Sequence, residues 1–475
     1  MTEHKLRLLP KAAIAAAAIL SMAIPQTMLG ADTSAEEIQL LREQIALLQQ
    51  RLDAIEARET AAAEKAETDK GLAATSAATK AEPAPDSVKV SLGSKGLALT
   101  TQDKQYSMNI TARIQADAHF FPDTDNGKNE FYFRRAIVTF KGNAGRARWM
   151  VSPNFAGSTI IEDAWVGMDL GGGAFLNVGK LTSLEGLENY RSNAKILFSE
   201  RSLANNLTPG REVGMKLEGK LNGNQIGYGL SITNGALDSN GANNNANLSD
   251  DFLFSGLLRF TPFANDKESM FSGLTFGLAA SYGDEDTSLT GATDRAISFK
   301  TAGRNTFLSI QTGTLIDGDR YRINPQLFWY QGSFGLLSEY IASGLEMSRG
   351  GVGHKIRNQG WTIEASYVLT GEKNSFGGVT PAQPFDFGKG GWGAFEVGMR
   401  YNAFEADKDL FTGDSTTLLA TSSSAQKAEA IGAMFKWHLT QNLLWGLNYE
   451  VTQFSGLGAD KDDEQVITSR MQINF

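Results

Sequence analysis

The sequence predicts an all-β transmembrane barrel of sixteen antiparallel strands, preceded by an N-terminal periplasmic coiled-coil helix. Three observations predict it. From about residue 88 the hydrophobic period is two, and the alternating runs reach the length of "MNITARIQADAHF" (Met108 to Phe120). Long polar connectors such as "LDSNGANNNANLS" take turns with short ones such as "GGG" (Gly171–Gly173) and "TQN" (Thr440–Asn442), the loop asymmetry of an outer-membrane barrel. The sequence also stops in mid-pattern. In "VITSRMQINF", Ile467, Ser469, Met471, Ile473 and Phe475 share one parity, and Thr468, Arg470, Gln472 and Asn474 the other.

The N-terminal elements come first. Lys5, Arg7 and Lys11 precede the apolar "AAIAAAAILSMAI" and the small residues Gly30 and Ala31, which reads as a signal peptide over 1–30. Its removal takes away three basic residues and one acidic residue, Glu3, and moves the net charge from −9 to −11. Within 31–58, Ile38, Leu41, Ile45, Leu48, Leu52 and Ile55 form an a/d seam, and Leu40 and Leu47 widen it in a way that suits three or more helices. Residues 59–87 are rich in Ala, Thr, Lys and Glu and end "EPAPDS"; such a composition buries too little apolar surface to order itself and reads as a linker. No later stretch holds 18 consecutive apolar residues, so no membrane-spanning helix is expected after residue 30.

The strands occupy the remainder, 88–475. In the first, Met108, Ile110, Ala112, Ile114, Ala116, Ala118 and Phe120 share one face, opposite Asn109, Thr111, Arg113, Gln115, Asp117 and His119. A tilted spanning strand needs ~9–11 residues. Lipid offers backbone groups no partner, so the sheet must close on itself, apolar outside and polar or glycine within. A soluble sandwich fits less well, because the apolar face is aromatic-rich and no fixed repeat is present. Further strands are expected at roughly 131–141, 147–155, 160–170, 174–181, 212–221, 226–235, 252–262, 273–283, 321–331, 335–343, 361–370, 393–403, 428–439, 443–454 and 465–475. The coil and Phe475 both belong on the periplasmic side, so the count is even. The stretch 296–312 is then either all loop, giving sixteen strands, or a hairpin giving eighteen; sixteen is preferred, and such a barrel holds an aqueous channel. Two details sit uneasily: 371–392 is long for a periplasmic connection, and Arg134 falls on the lipid-facing parity.

Composition narrows the function. Zero Cys removes thiolate metal sites. No phosphate-cradling glycine loop, metal-ligand cluster or nucleic-acid module stands out, so neither a cofactor nor a nucleic-acid partner is expected. A barrel enzyme would need a nucleophile and a base, yet only His119, His354 and His438 lie beyond the signal and none adjoins a serine elbow. An adhesin stalk would lie outside the cell, whereas this coil is N-terminal and periplasmic.

Several stretches resemble the phosphate-selective porin O and P family: "FYFRRAIVTFKG", "IIEDAWVGMDL", "VGKLTSLEGLENYRSNAKILFSERSLANNLTPGREVG", "YQGSFGLLSEYI", "WTIEASYVLTGE" with "GAFEVGMRY", and the last strand. The resemblance spans about residues 100–475 in order. It implies a trimeric sixteen-stranded porin of the outer membrane of a Gram-negative bacterium, surrounded by lipid and lipopolysaccharide. Some members carry a periplasmic coiled coil, through which peptidoglycan or periplasmic partners could be met. A terminal aromatic such as Phe475 is what barrel-assembly machinery generally reads in this class. It implies passive diffusion of small anions such as phosphate or polyphosphate, with a general or sugar-permeable porin as the alternative. The third external loop, 182–211, is expected to fold inward, and it carries Arg191, Lys195, Arg201 and Arg211. The resemblance places an anion site on Arg134, Arg135, Asp163, Arg191, Lys195 and Arg201. Arg113 joins them by its lumen parity. Guanidinium groups match oxyanion geometry, and rings of Arg or Lys select anions in pores. The bland alternative is that these residues pair with Glu185, Glu188 and Glu200, which is expected above all of Arg201 beside Glu200. Asp117, Glu396 and Glu450 share the inner faces and weigh against tight phosphate specificity.

Overall fold

In lipid the sheet must leave no edge unpaired, and the computed structural model closes it into a ring. The structure describes Gln50 and residues 87–123, 127–157, 161–239, 251–286 and 297–475. The signal peptide, the coiled coil and the linker expected at 1–87 lie outside the described residues but for Gln50 and Ser87. Pro83–Phe475 is one structural unit, and it contains the whole barrel.

The hairpin β1 (Val88–Gly93) and β2 (Gly96–Thr101) precedes the ring. The ring itself begins with β3 (Tyr106–Phe120), β4 (Glu130–Ala144), β5 (Ala147–Pro153), β6 (Ile161–Gly171), β7 (Ala174–Thr182), β8 (Arg211–Leu221), β9 (Ile226–Thr233), β10 (Leu253–Phe260) and β11 (Thr275–Asp286). The short hairpin β12 (Ser298–Lys300) and β13 (Thr306–Ser309) interrupts it. The ring resumes with β14 (Leu315–Gln331), β15 (Phe334–Arg349), β16 (Val352–Val368), β17 (Ala394–Glu405), β18 (Ala425–His438), β19 (Leu443–Gly458) and β20 (Glu464–Asn474). Each ring strand pairs antiparallel with its successor, and β20 pairs with the upper half of β3, from Ile467↔Phe120 to Asn474↔Arg113. Sixteen antiparallel strands therefore close the barrel. Phe475 completes the seam, since its N–H donates to the Ala112 carbonyl at 3.0 Å and its carbonyl accepts from the Ala112 N–H at 2.7 Å. The lower half of β3 pairs instead with β2, Leu97↔Ile110 to Thr100↔Ser107, so β1 and β2 continue the sheet below the seam.

The stretch 296–312 left open by the sequence holds a hairpin after all, yet in a sheet of its own and not in the wall. It folds into the mouth of the barrel. Phe299 and Phe307 pack on Phe404 of β17 with ring centroids 4.9 and 5.2 Å apart. Leu410 and Leu419 from the β17–β18 loop, Leu203 and Leu207 from the third external loop, and Ile341 and Leu345 of β15 join the same buried cluster. Aromatic and aliphatic burial of this kind is the main favourable term available inside a polar lumen. Glu464 at the top of β20 ties the hairpin to the far wall, accepting from Thr301 at 3.0 Å and from the Gly303 N–H at 3.2 Å. One side of the mouth is thus filled by an apolar core.

Arg134 sits on the lumen side, against its strand parity, because β4 carries a bulge. Gln115 pairs with Arg135 and Ala116 with Phe133, leaving Arg134 as the extra residue. Phe131 and Phe133 above the bulge are exposed on the lipid face, while Arg135 below it is buried opposite Gln115. The alternation changes phase there, and both arginines point inward.

Candidate functional site

The third external loop leaves β7 and crosses the lumen. Short polar side chains on the far wall hold its backbone. The Gly186 N–H donates to Asn324 of β14 at 2.9 Å, and the Leu187 N–H to Glu339 of β15 at 2.8 Å. The Leu203 N–H donates to Asn402 of β17 at 2.8 Å. In the other direction, Lys436 of β18 donates to the Ile196 carbonyl at 2.6 Å, Gln472 of β20 to the Ala194 carbonyl at 3.2 Å and Gln115 of β3 to the Asn193 carbonyl at 3.1 Å. The loop has only a turn of α-helix at Leu187–Tyr190 and a 3-10 helix at Leu203–Leu207; the rest of its buried backbone must find such partners, and the inner wall supplies them around most of its circumference.

The predicted residues fall into two groups. Arg134, Arg135 and Arg201 line a cavity of about 440 Å³ between the loop and β4–β6. Arg211, Lys300 and Arg304 add three more cations, against the carboxylates of Glu162 and Glu200. Arg134 is paired with Glu200, the second contact being 2.9 Å from Nη2 to Oε2. Burial alone would raise the Glu200 carboxyl, but the charge and hydrogen bond of Arg134, then Arg470 and Arg135, hold it well below the usual range. Arg135 donates to Gln115 at 3.0 Å. Arg201 does not pair with Glu200: it donates to the Glu188 carbonyl at 3.3 Å and to the Asn193 side-chain oxygen. Glu200 turns the other way, toward β4 and β20, and is already taken there. Burial, then the nearby Arg211, pulls Arg201 down to about 10. Asp163 is not an open acceptor; Arg211 grips it with contacts of 2.9 and 3.3 Å.

Arg113, Arg191 and Lys195 form the second group. Arg113 donates to Asn474 at 3.1 Å and to Ser192 in the loop at 3.0 Å. Arg191 donates to the Phe376 carbonyl at 3.0 Å and the Ser375 carbonyl at 3.3 Å. Its guanidinium lies 5.7 Å from the Tyr330 ring and 5.5 Å from Phe376. The long 371–392 stretch is thereby explained. It lies within the β16–β17 connection, and its residues 374–379 rise into the lumen to meet the loop. Gly378, at φ +91°, lies so close that a Cβ there would come within 2.8 Å of Lys195 Cδ. Lys195 has no hydrogen-bonding or ionic partner among the described residues, and burial, then Arg113 and Arg191, lowers its ammonium from the ordinary 10.5.

Among the described residues, no carboxylate lies within 4 Å of the charged atoms of Arg113, Arg135, Arg191, Lys195 or Arg201. Several inner-wall acids are paired with a basic residue, whereas Glu212 of β8 and Glu339 of β15 have no basic residue within 4 Å among the described residues. Asp117 holds Arg470 through two contacts of 2.7 and 2.6 Å, Glu450 holds Arg400 at 2.6 Å, and Glu396 meets His438 at 3.0 Å. Arg400 also donates to the Glu200 carbonyl at 2.9 Å, which fixes the loop to β17. Arg400 and Arg470 both have lumen parity, so alternation could have singled them out. Lys300 and Arg304 could not be found that way, because they lie on the hairpin whose placement only packing decides. Donors with unused capacity around a polar space, beside acids already neutralised, can take an anion out of water with charge-assisted hydrogen bonds.

A closed sixteen-stranded ring, apolar outside, with a loop folded into a polar lumen, is a porin: an outer-membrane channel rather than an enzyme. The chain belongs to the phosphate-selective porin O and P family, whose profile matches residues 108–475. It is 23% identical to Porin O of Pseudomonas aeruginosa over 420 residues, covering 80% of this chain and 91% of that protein. The outer membrane channel DcaP of Acinetobacter baumannii shares the fold at a TM-score of 0.50 and 10% identity, over 79% of this chain and 99% of that one. An anion-selective porin from Comamonas acidovorans aligns at a TM-score of 0.47 and 12% identity, over 78% of this chain and all of that one. The protein is located in the outer membrane.

Proposed function

We propose that this porin passes small oxyanions of the phosphate class by passive diffusion and that the basic residues around its inward loop select them. One observation carries the reading: five inner cations, Arg113, Arg135, Arg191, Lys195 and Arg201, lack a carboxylate partner among the described residues, whereas Asp117, Asp163, Glu200 and Glu450 each have an arginine. A net acidic chain is compatible with this, since charge on the outer loops is screened within about 8 Å at physiological salt. An anion must also leave, and Asp163 and Glu200 keep the arginines beside them from holding it too tightly. The protein works as a homotrimer, and the N-terminal segment lies in the periplasm.

Reversal potentials across planar bilayers test the reading. The wild-type trimer is expected to prefer anions, with phosphate reducing the chloride current by competition. Lys195→Glu replaces one positive charge with a negative one. Each unit charge acts with about 1 kcal/mol on an ion 4 Å away in bulk water, so the reversal is expected to change the permeability ratio by at least about tenfold. Cation preference in the wild type would refute the proposal. Anion preference without phosphate competition would leave a general anion pore.

A further inference from the structure

At the periplasmic end, five strand pairs are joined by turns of a few residues, while 261–274 and 369–393 are long connections. Both are fixed from outside in the same way. Trp329 of β14 and Trp437 of β18 point away from the lumen, since Gln326 and Asn324 on one strand, and Lys436 and His438 on the other, are the buried inward residues. The Trp329 indole N–H donates to the Met270 carbonyl at 3.0 Å, and the Trp437 indole N–H donates to the Trp392 carbonyl at 2.7 Å. Each indole also carries an aromatic of its connection. Phe271 lies 5.7 Å from Trp329, and Phe385 lies 4.9 Å from Trp437, with Phe387 stacked edge-on against Phe385 at 4.5 Å. The second connection is rigid at this point: Asp386 accepts from the Gly388 N–H at 2.8 Å, and its own N–H donates to the Gly391 carbonyl at 3.0 Å. Even so, Phe387 remains 91% exposed, Trp392 63% and Met270 55%.

We infer that the two connections lie over the outer edge of the rim and insert Met270, Phe271, Phe387 and Trp392 into the headgroup–acyl boundary of the periplasmic phospholipid leaflet. Lipid is the occupant for two reasons. The exposed aromatics continue an outward row on the wall, Phe395 to Phe435 at 5.8 Å and Phe435 to Trp445 at 6.0 Å, which faces the bilayer. The arm with Phe387 also joins β16 to β17, next to β18, strands of 17, 12 and 14 residues that are tall enough to span hydrocarbon. Trp392, whose indole has a polar N–H edge, lies next to the turn that carries the charged Asp386 and Lys389, and such a ring is what the interface of a bilayer favours. The same connection sends residues 374–379 inward to Arg191, so it grips the wall from both sides.

The chain has no cysteine, so Phe387→Cys and Met270→Cys can each be labelled with an environment-sensitive NBD probe in the full-length protein. Lys389→Cys on the same turn serves if the first variant fails to assemble, and Lys461→Cys in an external loop is the aqueous control. In phosphatidylcholine–phosphatidylglycerol vesicles the probe at 387 is expected to emit to the blue of the control, to be quenched by bromine-labelled lipid, and to be several-fold less sensitive to iodide. Iodide quenching equal to that of the control overturns the inference. So does shielding from both quenchers, which would mean a neighbouring protein covers the turn. Ion current recorded from the same vesicles separates either result from a failure of the channel itself.

Discussion

At the scale of the residue, Lys195 is the informative position. It is the basic group of the inward loop that finds no partner among the described residues, and its proton is held less firmly than that of a free lysine because burial, Arg113 and Arg191 all disfavour the charge. A lowered pKa means that the positive charge is lost at a lower pH than 10.5 as alkali is added. Anion preference, read as reversal potential, is therefore expected to weaken as pH rises toward 10. Lys195→Arg is expected to move that decline upward, because guanidinium stays protonated. A reversal potential independent of pH in this range would show that Lys195 does not face the permeating ion. The sequence named these residues by kind and position. It could not tell that Arg201 would bond to a carbonyl and an amide while Arg134 took Glu200, because those choices are made across the lumen.

At the scale of the element, one extra residue decides the site. Strict alternation puts Arg134 in lipid and Arg135 in water. The bulge at 115–116 opposite 133–135 brings both inside and flips the phase of β4, so that Phe131 and Phe133 still face lipid. Deleting Arg134 removes the bulge and leaves Phe131 and Phe133 on the lipid face and Arg135 and Ile137 on the lumen face, now in regular alternation. The deletion and Arg134→Gly are therefore both expected to give the folded barrel in a heat-modifiability assay on gels. Loss of the folded band in the deletion alone would show that the bulge itself is needed for assembly. Other elements were legible from periodicity alone, including all sixteen wall strands, because an alternating face is a local property. The hairpin β12–β13 was not. Its residues have strand character, but whether they extend the wall or fold into the mouth depends on Phe404 and Glu464, which lie far along the chain.

At the scale of the whole molecule, the wall is uneven. β5 has 7 residues and β9 and β10 have 8 each, while β14 and β16 have 17. At ~3.3 Å per residue a strand of seven reaches roughly 23 Å, and less when tilted by ~40°, which is short of an apolar band of ~25 Å. The low side exposes Val166 and Met168 and is expected to be covered by neighbouring protomers. Native mass spectrometry in detergent should give a trimer, and Val166→Asp should shift it toward monomer. A wild-type monomer would leave the low wall without its cover.

By itself the sequence determined the strands, their faces, the closure of the ring and the membership of the family, because the bilayer imposes one rule on every backbone group and that rule repeats every two residues. Only the tertiary structure decided which arginines are spent on carboxylates and which keep their donors free, where β4 changes phase, and that the β12–β13 hairpin and residues 374–379 join the third external loop in turning inward. Those outcomes depend on contacts between residues 66 to 353 positions apart, such as Glu200 with Arg134 and Arg400 and Asp117 with Arg470. No local pattern encodes the side of a lumen on which two distant side chains will meet.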